Sequence, residues 1–288
     1  MIKIAVASGK GGTGKTFVAT NLFRALTENN TAALLVDCDA EAPNAAAFFN
    51  TVRTESADVT HLVPVIDTEL CTFCGKCHEY CSYNAIFILP PAKVIKVIED
   101  LCHGCGACTE ACSFGAVTEK PVRLGTVSVY NNNPMAPVIE ARMDVGVMSP
   151  VPVIKAAIKK ARNGKEVAIL DSPPGTSCPF IQTVATADFV VLVTEPTPFG
   201  LSDLRQSVDT LRSMGIASGV IINRAGLGNG RMHDYLKENS IPLLMEIPFD
   251  ETIARVYSEG KLLADTDHSY RKRFTDLYTR INALIRKS

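Results

Sequence analysis

The chain has 288 residues, 47% hydrophobic and 20% charged, with a net charge of −1. That balance suits one large or two smaller globular domains with a sizeable core and excludes extended disorder. A near-zero charge also gives no bulk attraction to nucleic acid or anionic lipid.

Met1 leads directly into the apolar run IKIAVA, with no basic segment followed by a long apolar one. No secretory signal is therefore expected, and no run approaches the roughly 18 apolar residues that span a bilayer. The expected location is cytoplasmic. In a reducing compartment, clustered cysteines bind metal more often than they form disulfides. Eight of the ten cysteines fall between Cys71 and Cys112, leaving Cys38 and Cys178 outside.

The first run reads as a strand, followed by the loop SGKGGTGKT and a helix-period segment from Lys15 to about Glu28. Gly9, Gly14, Lys15 and Thr16 satisfy G-x-x-x-x-G-K-[ST] between strand and helix. In such a loop, Gly11, Gly12, Thr13 and Gly14 bring backbone N–H groups onto phosphate oxygens at a helix N-terminus. Lys15 then neutralises the β- and γ-phosphates of ATP, and the Thr16 hydroxyl binds Mg²⁺. AALLVDCD reads next as a buried strand ending at Asp37 and Asp39.

From about Val63 to Val127 the pattern changes, and CTFCGKCHEYCSYNAI and CHGCGACTEACSFGAV align 31 positions apart. A repeat inside a βα array reads as a module inserted in a connection. The expected domains are 1–62 and 128–288 for the α/β part and 63–127 for the insertion. YNNNPMAP, residues 130–137, reads as the return linker.

Beyond it, VAILD (167–171), FVVLVTE (189–195), GVIIN (219–223) and PLLMEI (242–247) read as strands. They alternate with helical patterns near 151–163, 201–214, 231–238 and 269–286. The fold class is therefore α/β, a parallel sheet flanked by helices, with a small α+β module inserted. Acids ending parallel strands face the ligand crevice, so Asp37, Asp39 and Asp171 are expected near phosphate. Asp171, in ILDSPPG, is the candidate to hold Mg²⁺, and Asp39 the candidate to orient the attacking water. The last segment, 269–288, is amphipathic and basic, with six Lys/Arg against Asp276. Packing against the sheet is its expected use, and membrane contact the lesser expectation.

KGGTGKT with DCDAEAPN and DSPPG resembles the deviant Walker A ATPases, the family of MinD, ParA, the arsenical-pump ATPase and the nitrogenase iron protein. The resemblance implies ATP hydrolysis by a homodimer that sandwiches nucleotide. It implies that Lys10 reaches the phosphates held by the other subunit, and that Asp39 and Asp171 lie in switches I and II. It further implies that Asn223, in VIINR, contacts adenine. Cys178, in DSPPGTSC, should move with switch II, although a small packed residue is its ordinary use. Cys38 is expected to pack.

Each cysteine run is spaced C-x2-C-x2-C-x3-C, as in two-cluster bacterial ferredoxins, where the fourth cysteine of one run serves the other cluster. That pattern implies two [4Fe-4S] clusters, one on Cys71, Cys74, Cys77 and Cys112 and one on Cys102, Cys105, Cys108 and Cys81. Ser82 and Ser113 stand where proline usually follows, which implies altered tuning. Structural zinc is the alternative, although zinc rarely uses interleaved runs of this spacing. His78 and His103 are expected outside the ligand set. The combined expectation is an ATPase coupling its cycle to electron transfer with a redox partner protein, and no nucleic acid. An iron–sulfur carrier is a second reading, weakened by the lack of a C-x-x-C pair after Cys112. A spatial organiser with redox-sensing clusters is a third.

Overall fold

The computed structural model describes residues 1–131, 136–161, 165–228 and 230–286. It divides into two compact units. One comprises Met1–Ala57, Val127–Arg142 and Val151–Ser288; the other comprises Asp58–Thr126 and Met143–Pro150.

In chain order the elements are β1 (Ile2–Ala7), α1 (Lys15–Glu28), β2 (Ala33–Asp37), β3 (Val52–Ile66), α2 (Lys76–Glu79), β4 (Ile86–Leu89) and β5 (Val94–Val97). Then come α3 (Ala107–Glu110), β6 (Val117–Asn131), β7 (Val138–Met143), α4 (Val151–Lys160), β8 (Val167–Asp171), α5 (Cys178–Val184) and β9 (Phe189–Thr194). The chain closes with α6 (Pro198–Ser213), β10 (Ser218–Ala225), α7 (Arg231–Glu238), β11 (Leu243–Pro248), α8 (Glu251–Ser258), α9 (Leu263–Thr266) and α10 (His268–Ile285).

Nine strands form one sheet in the order β11-β10-β9-β1-β8-β2-β7-β6-β3. From β11 through β7 every pairing is parallel. Strands β2, β8 and β9 are buried along their whole length, as strands covered on both faces must be. Their carboxyl ends share a register, with Val6 and Asp37 each opposite Asp171. The loop after β1 and the acids ending β2 and β8 therefore meet at one edge.

Helix α1 buries Phe17, Val18, Leu22, Phe23 and Leu26 against this sheet. Helix α10 adds Phe274, Leu277 and Ile281, all fully buried, with Phe274 edge-on to Phe17. The apolar face of the C-terminal helix is thus spent on the core. Among the described residues no helix is long and apolar enough to cross a membrane.

Strand boundaries differ from expectation by a residue or two, but several larger differences matter. The helix expected from 201 begins at Pro198, because Thr197 caps it by accepting the Gly200 N–H. Tyr130 and Asn131 belong to β6 rather than to a linker, and residues 132–135 of that segment lie outside those described. The helix expected over 151–163 runs as α4 to Lys160, and residues 162–163 are likewise outside. Strand β7 and helix α5 were not anticipated.

The second unit carries the cysteine repeat, and its backbone repeats as well. Phe73 and Gly104, Gly75 and Gly106, and Asn84 and Gly115 are equivalent pairs, and all six have positive φ. Strands β4 and β5 pair antiparallel, while the end of β3 bonds the start of β6 through Asp67 N–H and Ala116 O. The apolar core of this unit is small: Cys77, Ile86, Cys108 and Val117, with Ile66, Ile95 and Cys112 against them.

Candidate functional site: a phosphate loop and two cysteine-lined cavities

The loop after β1 is shaped by close approaches that only glycine permits. A Cβ on Gly9 would lie 2.6 Å from the Asp203 carbonyl oxygen, and one on Gly14 would lie 2.5 Å from Asn223 Nδ2. Gly14 also needs φ 99° and precedes α1 without a side-chain cap, so the first-turn N–H groups stay available. Gly11 and Gly12 are exposed on the loop's outer side. Thr13 is buried, and its hydroxyl has no hydrogen-bond partner. The Ser8 hydroxyl donates to the Lys10 carbonyl, fixing the turn.

Lys15 is buried, with its ammonium 3.4 Å from the Lys10 carbonyl oxygen. Burial lowers its pKa, and the negative charges of Asp171 and Asp39 oppose that. Asp171 is fully buried, and neither carboxylate oxygen has a hydrogen-bond partner. Burial pushes its pKa well up, and the charge of Asp37 adds to this; Thr16 and Lys15 pull it down. The Thr16 hydroxyl stands close enough to act on that carboxyl without completing a hydrogen bond. Unpartnered buried oxygens beside a threonine hydroxyl and a lysine fit a divalent cation together with a phosphate anion.

The three acids do different work. Asp37 faces its own loop rather than the crevice, in contrast to the expectation that it meets phosphate. Its carboxylate accepts the N–H groups of Asn44 and Ala45, both at 2.8 Å, and of Asp39 at 3.1 Å. Burial still raises its pKa to about 7 against those bonds. Asp39 is half-buried; burial raises its pKa, while Lys15 and the Ala42 N–H lower it.

Lys10 is paired within its own chain, with Nζ 3.4 Å from Glu195 Oε2. Glu195 is nearly buried at the end of β9 and also binds Arg224 at 2.7 Å. Neither Glu195 nor Arg224 was singled out from sequence; the signal was an acid at a strand's carboxyl end, the same cue that marked Asp171. Asn223 donates from Nδ2 to the Thr13 carbonyl at 2.8 Å, and its Oδ1 accepts the Arg224 N–H. Its amide therefore braces the phosphate loop rather than standing open for a base.

In the second unit two small cavities are walled mainly by apolar groups. One is lined by Cys81, Cys102, Cys105 and Cys108. The other is lined by Cys71, Cys74, Cys77 and Cys112. Backbone N–H groups of Phe73, Ala85 and Gly104 donate to the sulfurs of Cys71, Cys81 and Cys102 at 3.3–3.4 Å. Burial and neighbouring thiol charge push Cys77 and Cys102 up. Burial also pushes Cys112 up, but four backbone N–H groups outweigh it and its pKa is lowered.

Among the described residues no group of three or more His, Cys, Asp or Glu could hold a metal ion as placed. A polynuclear cluster makes a different demand, because it keeps its four thiolates apart around its own body. Four thiols on the rim of an apolar cavity, with N–H groups aimed at sulfur, fit that demand.

The His78 Nδ1–H donates to the Ile86 carbonyl, and His103 stacks on Tyr83 with ring centroids 3.8 Å apart. Ser82 and Ser113 are exposed. Cys38 is buried, its thiol pushed well up by burial, and Cys178 is exposed at the start of α5.

The profile of the CobQ/CobB/MinD/ParA nucleotide binding domain matches residues 4–263. An uncharacterized protein of Methanocaldococcus jannaschii is 30% identical over 287 residues, covering 99% of this chain and 98% of its own. An uncharacterized ATP-binding protein of the same organism is 26% identical over 265 residues, covering 90% of each. Among solved structures, the septum site-determining protein MinD with Mg-ADP from Pyrococcus horikoshii aligns with a TM-score of 0.60 at 20% identity, over 98% of this chain and 96% of that one. A McdA variant with ATP from Cyanothece aligns at 0.58 and 19%, over 96% and 95%. At these identities the structural likeness is one of fold.

Proposed function

Because the chain belongs to the CobQ/CobB/MinD/ParA nucleotide-binding family, we propose that it binds and hydrolyses ATP with Mg²⁺ as a nucleotide-sandwich homodimer, and couples that cycle to electron transfer through two [4Fe-4S] clusters. The observation that carries the ATP part is the set of unpartnered polar groups around the loop: Thr13 Oγ1 and both oxygens of Asp171, beside Lys15 and Thr16. Buried polar atoms without partners are costly, and a bound phosphate and cation satisfy them.

Phosphoryl transfer to water is mainly positioning and charge neutralisation. Loop N–H groups from Gly11 to Thr16 and the Lys15 ammonium hold the β- and γ-phosphate oxygens. Thr16 and Asp171 hold Mg²⁺, which supplies further neutralising charge. Asp39, beside Lys15, orients the attacking water. Asp37 keeps the Asp39 loop in place through its three backbone bonds. Lys10 exchanges Glu195 for phosphate of the partner's nucleotide when two copies close. Asn223 holds the loop through Thr13 and contacts adenine once that bond yields.

The cluster part is supported by the two four-cysteine cavities and by the thinness of the core around them. A cluster needs no nucleotide to pass electrons, so the pairing of the two parts in one chain points to gating of a redox partner protein. The apolar face of α10 lies in the core, which weighs against membrane attachment as the primary role.

Calorimetric titration with Mg-ATP is the test. Binding is expected to need Mg²⁺ and to be lost in Lys15→Ala and weakened at least tenfold in Asp171→Asn. Nucleotide binding that ignores both substitutions would refute the ATP reading. Anaerobic iron and sulfide analysis tests the clusters, and zinc in their place would refute that part.

A further inference from the structure

The two halves of the cysteine repeat give each cavity the same backbone. Equivalent N–H groups of Phe73 and Gly104 donate to Cys71 and Cys102 at the same 3.4 Å. The Ala85 N–H donates to Cys81 at 3.3 Å. The first turn of each run is thus alike across the repeat, whereas the side chains around the two cavities are not.

The side chains differ in charge. Glu119 lines the first cavity where its repeat counterpart, Ile88, lines the second. Lys76 lines the second cavity where its counterpart, Ala107, lines the first. Glu119 is half-buried; its Oε1 accepts the Thr109 hydroxyl at 3.2 Å and lies 3.7 Å from where a Cβ on Gly106 would stand. That puts a carboxylate beside the turn carrying Cys105 and Cys108. Lys76 is exposed at the start of α2, so water and salt screen it more.

Adding an electron adds negative charge, which a neighbouring carboxylate opposes and an ammonium favours. We propose that the two cavities hold clusters of unequal potential, the lower beside Glu119 and the higher beside Lys76. This rests on reading the eight cysteines as cluster ligands. An electron delivered by a one-electron donor then settles at the Lys76 site. Transfer between the sites oxidises the Glu119-side cluster by one electron and reduces the other by one.

The test uses the full chain purified without oxygen, with iron and sulfide counted first. A redox titration followed by EPR then compares the native chain with Glu119→Gln and Lys76→Gln, both close in shape to the originals. Two one-electron waves are expected. Glu119→Gln should raise the lower wave and leave the upper in place; Lys76→Gln should lower the upper wave, by less. A single merged wave, or a Glu119→Gln protein whose upper wave moves instead, would overturn the inequality while leaving the clusters standing. A count below two clusters per chain would sink both the inequality and the reading beneath it.

Discussion

At the scale of residues, the phosphate edge is organised by two side chains that also bind each other's neighbours. Glu195 holds Lys10 and Arg224, and Asn223 holds Thr13 and the Arg224 N–H. Lys10 is therefore committed within its own chain until another anion competes for it. Glu195→Gln is expected to release it and lower the ATP concentration needed for dimer formation several-fold in sedimentation velocity. Lys10→Ala is expected to abolish ATP-dependent dimers at any concentration.

Asp37 gives a pH signature. Its pKa rises from an ordinary 3.8 to about 7 in the fold, so the folded chain favours its protonated form. The associated stability is fully present below about pH 4 and is lost as pH rises through 7. Asp171, also raised, acts in the same direction. Urea unfolding of the nucleotide-free protein should thus show stability falling from pH 5 to 7, with a shallower slope in Asp37→Asn.

These residues also mark where reading the sequence stops. The loop lysines, Asp39, Asp171 and the spacing of the cysteines stand in contiguous motifs, and contiguity is what a sequence displays. The resemblance to two-cluster ferredoxins, in which each fourth cysteine serves the other set, implies the two sets of four that line separate cavities. The pairing of Glu195 with Lys10 spans strands β1 and β9, and no local pattern encodes such a partner. Asp37 and Asp39 look equivalent in VDCD, yet β2 ends at Asp37, whose carboxylate accepts the Asp39, Asn44 and Ala45 N–H groups, while Asp39 lies beyond the strand.

At the scale of elements, α1 and α10 link the phosphate loop to the C-terminus. Phe274 is fully buried against Phe17, one turn beyond the loop. Phe274→Ala should cost about 3–5 kcal/mol of stability by the usual penalty for emptying an aromatic site. Denaturant unfolding measures it, and a loss below 1 kcal/mol would contradict the packing described. Short continuous apolar runs made the buried parallel strands legible, whereas β6 is broken by Pro121 and Gly125 and carries no such run.

The inserted unit makes the opposite point. Its core is so small that cysteines are part of it, so clusters held as proposed would add to its stability. Removing iron with a chelator and oxidant should make residues 58–126 susceptible to limited proteolysis while the Mg-ATP-binding part resists. Equal resistance before and after removal would argue that the unit folds unaided.

At the scale of the whole molecule, one sheet order runs from the nucleotide edge at β1, β8 and β2 through β7 to β6 and β3, the two strands that flank the cysteine repeat. Under the proposed function, closing the dimer on ATP changes the behaviour of the clusters. The EPR-monitored potential of each cluster, with and without a non-hydrolysable ATP analogue, in the native chain and in Lys10→Ala, tests this. A nucleotide-dependent shift is expected in the native chain and none in Lys10→Ala. Potentials and spectra that ignore nucleotide in a native chain shown to dimerise would contradict it.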